Sequence, residues 1–194
     1  MFYLSRDCKR HAKLLAELRS TFVSGNQIKR GKELLSCRYL KACIDEALRL
    51  APAAPGALWR QACEGGAFIG DEFIPEGLDV ATCTYALSHS AEYFEEPFKF
   101  MPERFIDPSP ANNLDAYAPF SIGPRSCLAK PLAVLELTLA LAHIIWRMDF
   151  ESVNALGEGG PNMGTGRERR DEFQIIDMFS SNKQGPILRF RRRL

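Results

Sequence analysis

The chain has 194 residues, 46% apolar and 25% charged with a formal net charge of +1, which is enough for one folded domain with a real core and gives no electrostatic case for nucleic acid. Its six cysteines include no C-x-x-C pair and only three histidines accompany them, which argues against a zinc site and for reduced thiols rather than a disulfide framework. The opening run turns polar at Ser5-Arg6-Asp7, too soon for a signal peptide or a membrane anchor.

In chain order, Cys8, Ala12, Leu15, Leu18 and Phe22 recur at spacings of three and four, which predicts an amphipathic helix over about 4–22, broken by Gly25-Asn26. A second helix is predicted over about 37–50, with Ser36 as N-cap and Leu40, Ile44, Ala47 and Leu48 on one face. Pro52 ends it, because the residue before a proline avoids the helical region. Closely spaced turn signals with short β-prone runs between them predict a small antiparallel sheet over about 57–84. The proline-rich stretch over about 97–126 reads as an irregular meander.

A long apolar helix follows over about 128–148, with Pro131 in its first turn. Lys130, Glu136, His143 and Arg147 make it a buried helix rather than a membrane span. Its stripe of Leu132, Leu135, Leu139, Ile145 and Trp146 reads as core. The chain closes with a glycine-rich loop over 157–166 and a predicted hairpin over about 172–190, pairing 172–179 with 187–190. The basic clusters at 167–170 and 191–193 read as solvated surface rather than as a site for an anionic partner.

Two constellations carry chemistry. In the run Phe120-Ser121-Ile122-Gly123-Pro124-Arg125-Ser126-Cys127 a single thiol ends a Gly-Pro turn just before the long helix. That is a way to offer one sulfur to a metal whose other positions are filled by something else, whereas four-cysteine sites need clustered ligands. Gly123 would let the backbone approach a flat cofactor, and Arg125 would reach a carboxylate on it. The alternative is a buried, inert cysteine. In the second constellation Glu46 and Arg49 share a helix face at i and i+3. They form either a surface ion pair or, with Arg104 supplying a second guanidinium, a buried cluster pinning the meander to the helix. His11, His89 and His143 read as surface or packing residues, and Arg60 is unremarkable by itself.

Taken together, these residues resemble the C-terminal, haem-binding proximal part of a cytochrome P-450, the haem-thiolate monooxygenase family, in its fungal microsomal flavour. The cysteine signature F-x-x-G-x-R-x-C-x-G is met by Phe120, Gly123, Arg125 and Cys127, with Ala129 in place of the last glycine. The E-x-x-R helix is Glu46-Ala47-Leu48-Arg49, and the P-E-R-F element is Pro102-Glu103-Arg104-Phe105. The resemblance implies a mainly α fold with small antiparallel β elements, a partial P-450 domain over 1–194. It implies heme b (iron protoporphyrin IX) ligated by Cys127, with Phe120 beside the sulfur and Arg125 and Arg60 on the propionates. Glu46, Arg49 and Arg104 would form a structural triad without chemical role, and no catalytic residue is assigned.

The implied reaction is insertion of one oxygen atom into a small organic substrate, with electrons from an NADPH-dependent reductase. Full-length relatives sit at the endoplasmic reticulum surface; the location of this chain, with no anchor expected, is left open between that surface and the cytoplasm. Family members are far longer, and the long central helix over the distal face of the haem has no counterpart in this sequence. The alternative reading is therefore a truncated, non-catalytic haem-binding fragment, or an interaction module lacking the oxygen-activating distal half. Segments 52–58 and 179–185 are the ones expected to border a substrate pocket.

Overall fold

The computed structural model describes residues 1–107, 109 and 112–193; residues 108, 110 and 111 of the expected meander lie outside the described residues. The fold is mainly helical with small antiparallel ladders. Helix α1 (Cys8–Thr21) begins where the Asp7 carboxylate accepts the Arg10 amide at 2.9 Å, so the helix expected from residue 4 starts four residues later. Residues 2–4 instead form turns that bury Phe2, Tyr3 and Leu4. The buried face of α1 runs through Leu14 and Leu18 to Phe22, while Cys8 and Ala12, expected on that face, are exposed.

A short helix, α2 (Lys32–Ser36), leads into α3 (Arg38–Leu50). Ser36 does not cap α3; its hydroxyl bonds back to the Glu33 carbonyl at 2.7 Å. The cap comes from α1, where the Glu17 carboxylate accepts the amides of Tyr39 at 2.7 Å and Leu40 at 2.8 Å. A helix start needs acceptors for its first N–H groups and favours negative charge, and a glutamate from a packed neighbour meets both needs. Helix α3 is buried on most sides, through Tyr39, Leu40, Ala42, Cys43, Ile44, Glu46, Arg49 and Leu50; Ala47 and Leu48 are half-buried.

Helix α5 (Lys130–Arg147) packs on both α1 and α3, placing Ala142, Ile145 and Trp146 in the core with Leu14, Leu18, Phe22 and Leu40. Only its C-terminal half is covered. Leu132, expected in the core, is exposed and Leu135 and Leu139 are half-buried, since the fully buried residues of α5 are confined to its last turns, at Ala142, Ile145 and Trp146. Among the described residues no helix is long and apolar enough to cross a membrane.

The strands form four two-stranded antiparallel ladders among the described residues. β1 (Ala57–Gln61) pairs with β4 (Asp79–Cys83), and β2 (Ala67–Ile69) with β3 (Glu72–Ile74), so the region expected as one sheet is two separate ladders. The short helix α4 (Thr84–Ser88) follows β4 directly. The meander is punctuated by 3-10 turns at Pro102–Phe105, Leu114–Ala116 and Gly123–Arg125.

The C-terminal hairpin differs from the expectation. β6 (Ile176–Met178) turns back at Phe179 to pair with β7 (Ser180–Asn182), Asp177 accepting the Phe179 amide at 3.0 Å. β8 (Leu188–Arg192), expected to pair with 172–179, pairs instead with β5 (Met148–Ser152), the strand that leaves α5. That pairing sets Phe190 beside the buried Phe150 at 5.8 Å between ring centroids, a cross-strand contact that sequence-local pairing could not supply.

Candidate functional site

One turn of α3 places Glu46 and Arg49 on the same side, and here that side faces the interior. Both are fully buried and Arg104 is 3% exposed. Arg49 approaches Glu46 with its fork, Nε donating to Oε2 at 2.7 Å and Nη2 to Oε1 at 2.9 Å. Oε1 also accepts Arg104 Nε at 3.2 Å and the Met101 amide at 2.8 Å. The remaining guanidinium protons go to carbonyls: Arg49 to Ser88 at 2.5 Å and Pro97 at 2.7 Å, Arg104 to Glu95 at 3.1 Å and to the Asn112 side chain. The fully buried Phe94 ring lies beneath both cations, at 5.0 and 6.0 Å. Two cations and one carboxylate are thus tied by charge-assisted bonds to α3, the end of α4 and the meander.

The meander past this hub is held in turn. The Tyr117 hydroxyl donates to Asp45 on α3 at 3.1 Å, and its ring stacks edge-on against Phe105 at 4.8 Å. Burial, and then the Asp45 carboxylate, push the Tyr117 phenol far above its usual range, so it stays a donor. From that anchor the chain turns tightly. Ser121 and Gly123 adopt positive φ of 59° and 70°, the Ser121 amide bonds to the Ala118 carbonyl at 2.9 Å, and the Cys127 amide bonds to the Phe120 carbonyl at 2.8 Å. Glycine suits position 123 because a left-handed backbone is strained for other residues, and nothing lies within 4 Å of where a Cβ would stand.

This loop presents Cys127 as a free, exposed thiol three residues before α5 begins, not as a buried, packed cysteine. Apolar residues of the same segment are uncovered as well: Ile122 is 76% exposed and Leu128 is 98% exposed. Phe120, joined to Cys127 through the backbone bond, is half-buried, with the Lys130 ammonium 5.9 Å from its ring. Arg125 is exposed and makes no hydrogen bond or ion pair among the described residues. Arg60 is exposed on β1, where its only side-chain hydrogen bond among the described residues goes to the Trp59 carbonyl at 2.6 Å. Neither arginine is bonded to Cys127 or to the other.

Among the described residues no three of His, Cys, Asp or Glu are grouped to hold a metal ion. One open thiol with apolar neighbours suits a metal that brings its own flat chelate and needs a single protein ligand. Elsewhere, an apolar groove of about 430 Å³ runs between α3, α5 and the first residues, lined by Ile44, Leu48, Leu137, Leu141, Phe100 and Pro186.

A second buried polar cluster had no sequence signal. His89 is buried, bonds through Nδ1 to the Tyr85 carbonyl at 2.9 Å and stacks on the Tyr85 ring at 3.9 Å, while its Nε2 has no partner among the described residues. Burial above all, with Arg49 and Arg169 adding to it against the Tyr85 bond, lowers its pKa to about 4. The Tyr85 hydroxyl meets Glu172, whose carboxyl is pushed up chiefly by burial.

The sequence profile of the cytochrome P-450 family matches residues 1–158. The chain is similar to cytochrome P-450 monooxygenase atnE of Emericella nidulans, 40% identical over 201 residues that cover 100% of this chain and 37% of the relative. It is similar to AKT7 of Alternaria alternata, at 40% over 99% of this chain and 39% of the relative, and to apf8 of Gibberella fujikuroi, at 42% over 100% and 54%. The chain therefore spans between 37% and 54% of the length of these three fungal monooxygenases. The matched stretch contains the buried Glu46–Arg49–Arg104 hub, the Cys127 loop and α5, and with similarity along the whole chain to named monooxygenases it follows that this chain belongs to the cytochrome P-450 family.

Proposed function

We propose that this chain, as one partial P-450 domain over 1–194, supplies the thiolate side of a haem monooxygenase, with Cys127 as the protein ligand to heme b iron. The observation that carries the proposal is the exposed Cys127 thiol, held by a tight backbone turn at the mouth of α5, in a loop segment whose apolar Ile122 and Leu128 are also uncovered. A metal-bound thiolate there lies at the positive end of the α5 dipole, which moderates the electron density it donates. When bound, the haem supplies dioxygen binding and activation, and the family reaction inserts one oxygen atom into an organic substrate.

The chain's own residues bind and orient. With haem bound, Phe120 would pack beside the sulfur and Gly123 would keep a Cβ out of the plane of approach, while the exposed Arg125 and Arg60 would offer guanidinium donors to the propionates. Glu46, Arg49 and Arg104 act at a distance from the chemistry, fixing the meander so that the Cys127 loop keeps its geometry. An NADPH-dependent reductase as electron source, a small organic substrate and a position at the endoplasmic reticulum surface complete the reading by analogy with the family.

Haem titration of the purified chain, followed by reduction under carbon monoxide, tests the proposal. A thiolate-type Soret shift that is lost in Cys127→Ser is the expected result, with weaker haem retention in Arg125→Ala. The same spectrum in Cys127→Ser as in the parent would assign the iron to another ligand and end the proposal.

A further inference from the structure

The far end of α5, away from Cys127, is ringed by arginines. The last carbonyls of a helix have no intrahelical partner. Here Arg193 Nη1 donates to the Ile145 carbonyl at 2.6 Å, the Arg193 amide to Arg147 at 2.8 Å, and Arg19 Nη2 to Trp146 at 3.1 Å. Arg147 turns the other way, its Nη2 donating to the Gly25 carbonyl at 3.1 Å and to Asn26 Oδ1 at 3.3 Å. Arg192, at the end of β8, makes no side-chain hydrogen bond or ion pair among the described residues. These four side chains, with Ser24 and Asn26, line one cleft of about 260 Å³ whose wall has no carboxylate among the described residues.

Capping accounts for only part of this arrangement. The C-terminus of a helix carries the equivalent of about half a negative charge. Asp149 pairs with Arg193 from outside the cleft wall. Among the described residues, against four guanidinium charges, that leaves roughly two and a half unbalanced positive charges around one opening.

The cations are also positioned rather than loose. Arg19 stacks on the Trp146 indole at 3.9 Å, and Gly25 seats that indole so closely that an added Cβ would lie 2.7 Å from Cδ1. Nearby histidines register the positive field: burial first, then Arg147 for His143 and Arg193 for His11, hold both rings below their usual pKa.

We propose that this cleft is a binding site for a phosphate-type dianion, the phosphomonoester of a small molecule or of a lipid headgroup. Arg192 presents a forked pair of donors that matches phosphate oxygens two at a time. Arg147, whose Nη2 is taken by Gly25 and Asn26 and whose Nη1 meets His143 Nδ1, adds charge and its remaining N–H donors, with Arg19 and Arg193 supplying further charge. Asn26 accepts from Arg147 through Oδ1 and keeps its amide protons for the ligand. The cleft is smaller than the roughly 300–1,000 Å³ of drug-sized sites, so it takes the anionic group and leaves the rest of the ligand outside.

Calorimetric titration of the whole chain with inorganic phosphate, against chloride at matched ionic strength, tests the site. The expected result is saturable phosphate binding, weakened about tenfold or more in Arg192→Ser and partly restored in Arg192→Lys. Arg192 is the position to change because its guanidinium has no internal partner whose loss would unfold the chain. Co-sedimentation with phosphatidic acid vesicles, compared with phosphatidylcholine alone, assigns the source. Capture by the acidic vesicles that free phosphate does not displace points to the headgroup, and displacement by free phosphate points to a soluble ligand. Equal responses to phosphate and chloride with no preference for the acidic vesicles, or Arg192→Ser binding as tightly as the parent, would overturn the proposal.

Discussion

Replacing Glu46 by glutamine is the sharpest test of what holds the meander. Glutamine keeps the volume and one acceptor, so α3 can still form, but it removes the charge that balances Arg49 and Arg104 and turns an NH₂ toward a guanidinium. Glu46 accepts four hydrogen bonds, three of them from these two buried cations. Removing one partner from a buried ion pair costs about 3–5 kcal/mol, most of it the cost of leaving the other charge unpaired. Domains of this size have a total stability of roughly 5–15 kcal/mol, and each kcal/mol moves the melting temperature by about 2–4 °C. Glu46→Gln should therefore lower Tm by about 6–20 °C. The control is Lys41→Ala, which breaks the Lys41–Asp45 pair (2.5 Å), whose lysine is 70% exposed. Pairs of that kind contribute about 0–1 kcal/mol. Urea unfolding followed by circular dichroism reads both variants on one scale. If Glu46→Gln loses no more stability than Lys41→Ala, the hub is not a buried, desolvated cluster and does not hold the meander.

Three further predictions follow from local geometry. His89 takes up a proton at about pH 4 in the folded chain against 6.5 for its ordinary value, so the unfolded state protonates first and stability falls as pH drops from 6.5 to 4; His89→Phe should flatten that part of the stability–pH curve, and an unchanged slope would mean that another group produces it. Glu17→Gln should cost about 1–2 kcal/mol by weakening the cap on α3, seen as faster amide exchange at Tyr39 and Leu40; unchanged exchange would show the cap to be dispensable. A Cβ at the buried Gly159 would overlap the Arg167 and Arg169 carbonyl oxygens and stand 2.9 Å from the Arg169 carbonyl carbon, so Gly159→Ala should destabilise by about 1–3 kcal/mol or more while Gly160→Ala, 3.9 Å from its nearest neighbour, should be close to neutral. Equal melting temperatures for the two glycine variants would contradict this packing.

Legibility followed distance along the chain. Glu46 and Arg49 could be paired on paper because i and i+3 meet on any helix, and Cys127 stood out because its turn and its helix are its immediate neighbours. The acceptors that complete the hub, the Ser88, Pro97 and Glu95 carbonyls and the Asn112 side chain, could not be named, because no local spacing links them to α3. The same limit explains the α3 cap from Glu17, the pairing of β8 with β5, and the arginine cleft. Arg192 and Arg193 read as solvated charges until α1 and α5 brought Arg19 and Arg147 alongside.

By itself the sequence determined the helical character of the chain, the i, i+3 ion pair, the single thiol at the head of an apolar helix and the three motifs that resemble the P-450 family. All of these are written in spacings of a few residues, where backbone geometry leaves little choice. Only the tertiary structure decided that the ion pair is buried and shared with Arg104, that Cys127 is exposed, that half of α5 is uncovered, and that four arginines crowd one helix end. Burial and charge balance are properties of what comes close in space, and a side chain's environment is set by elements that the sequence places far away.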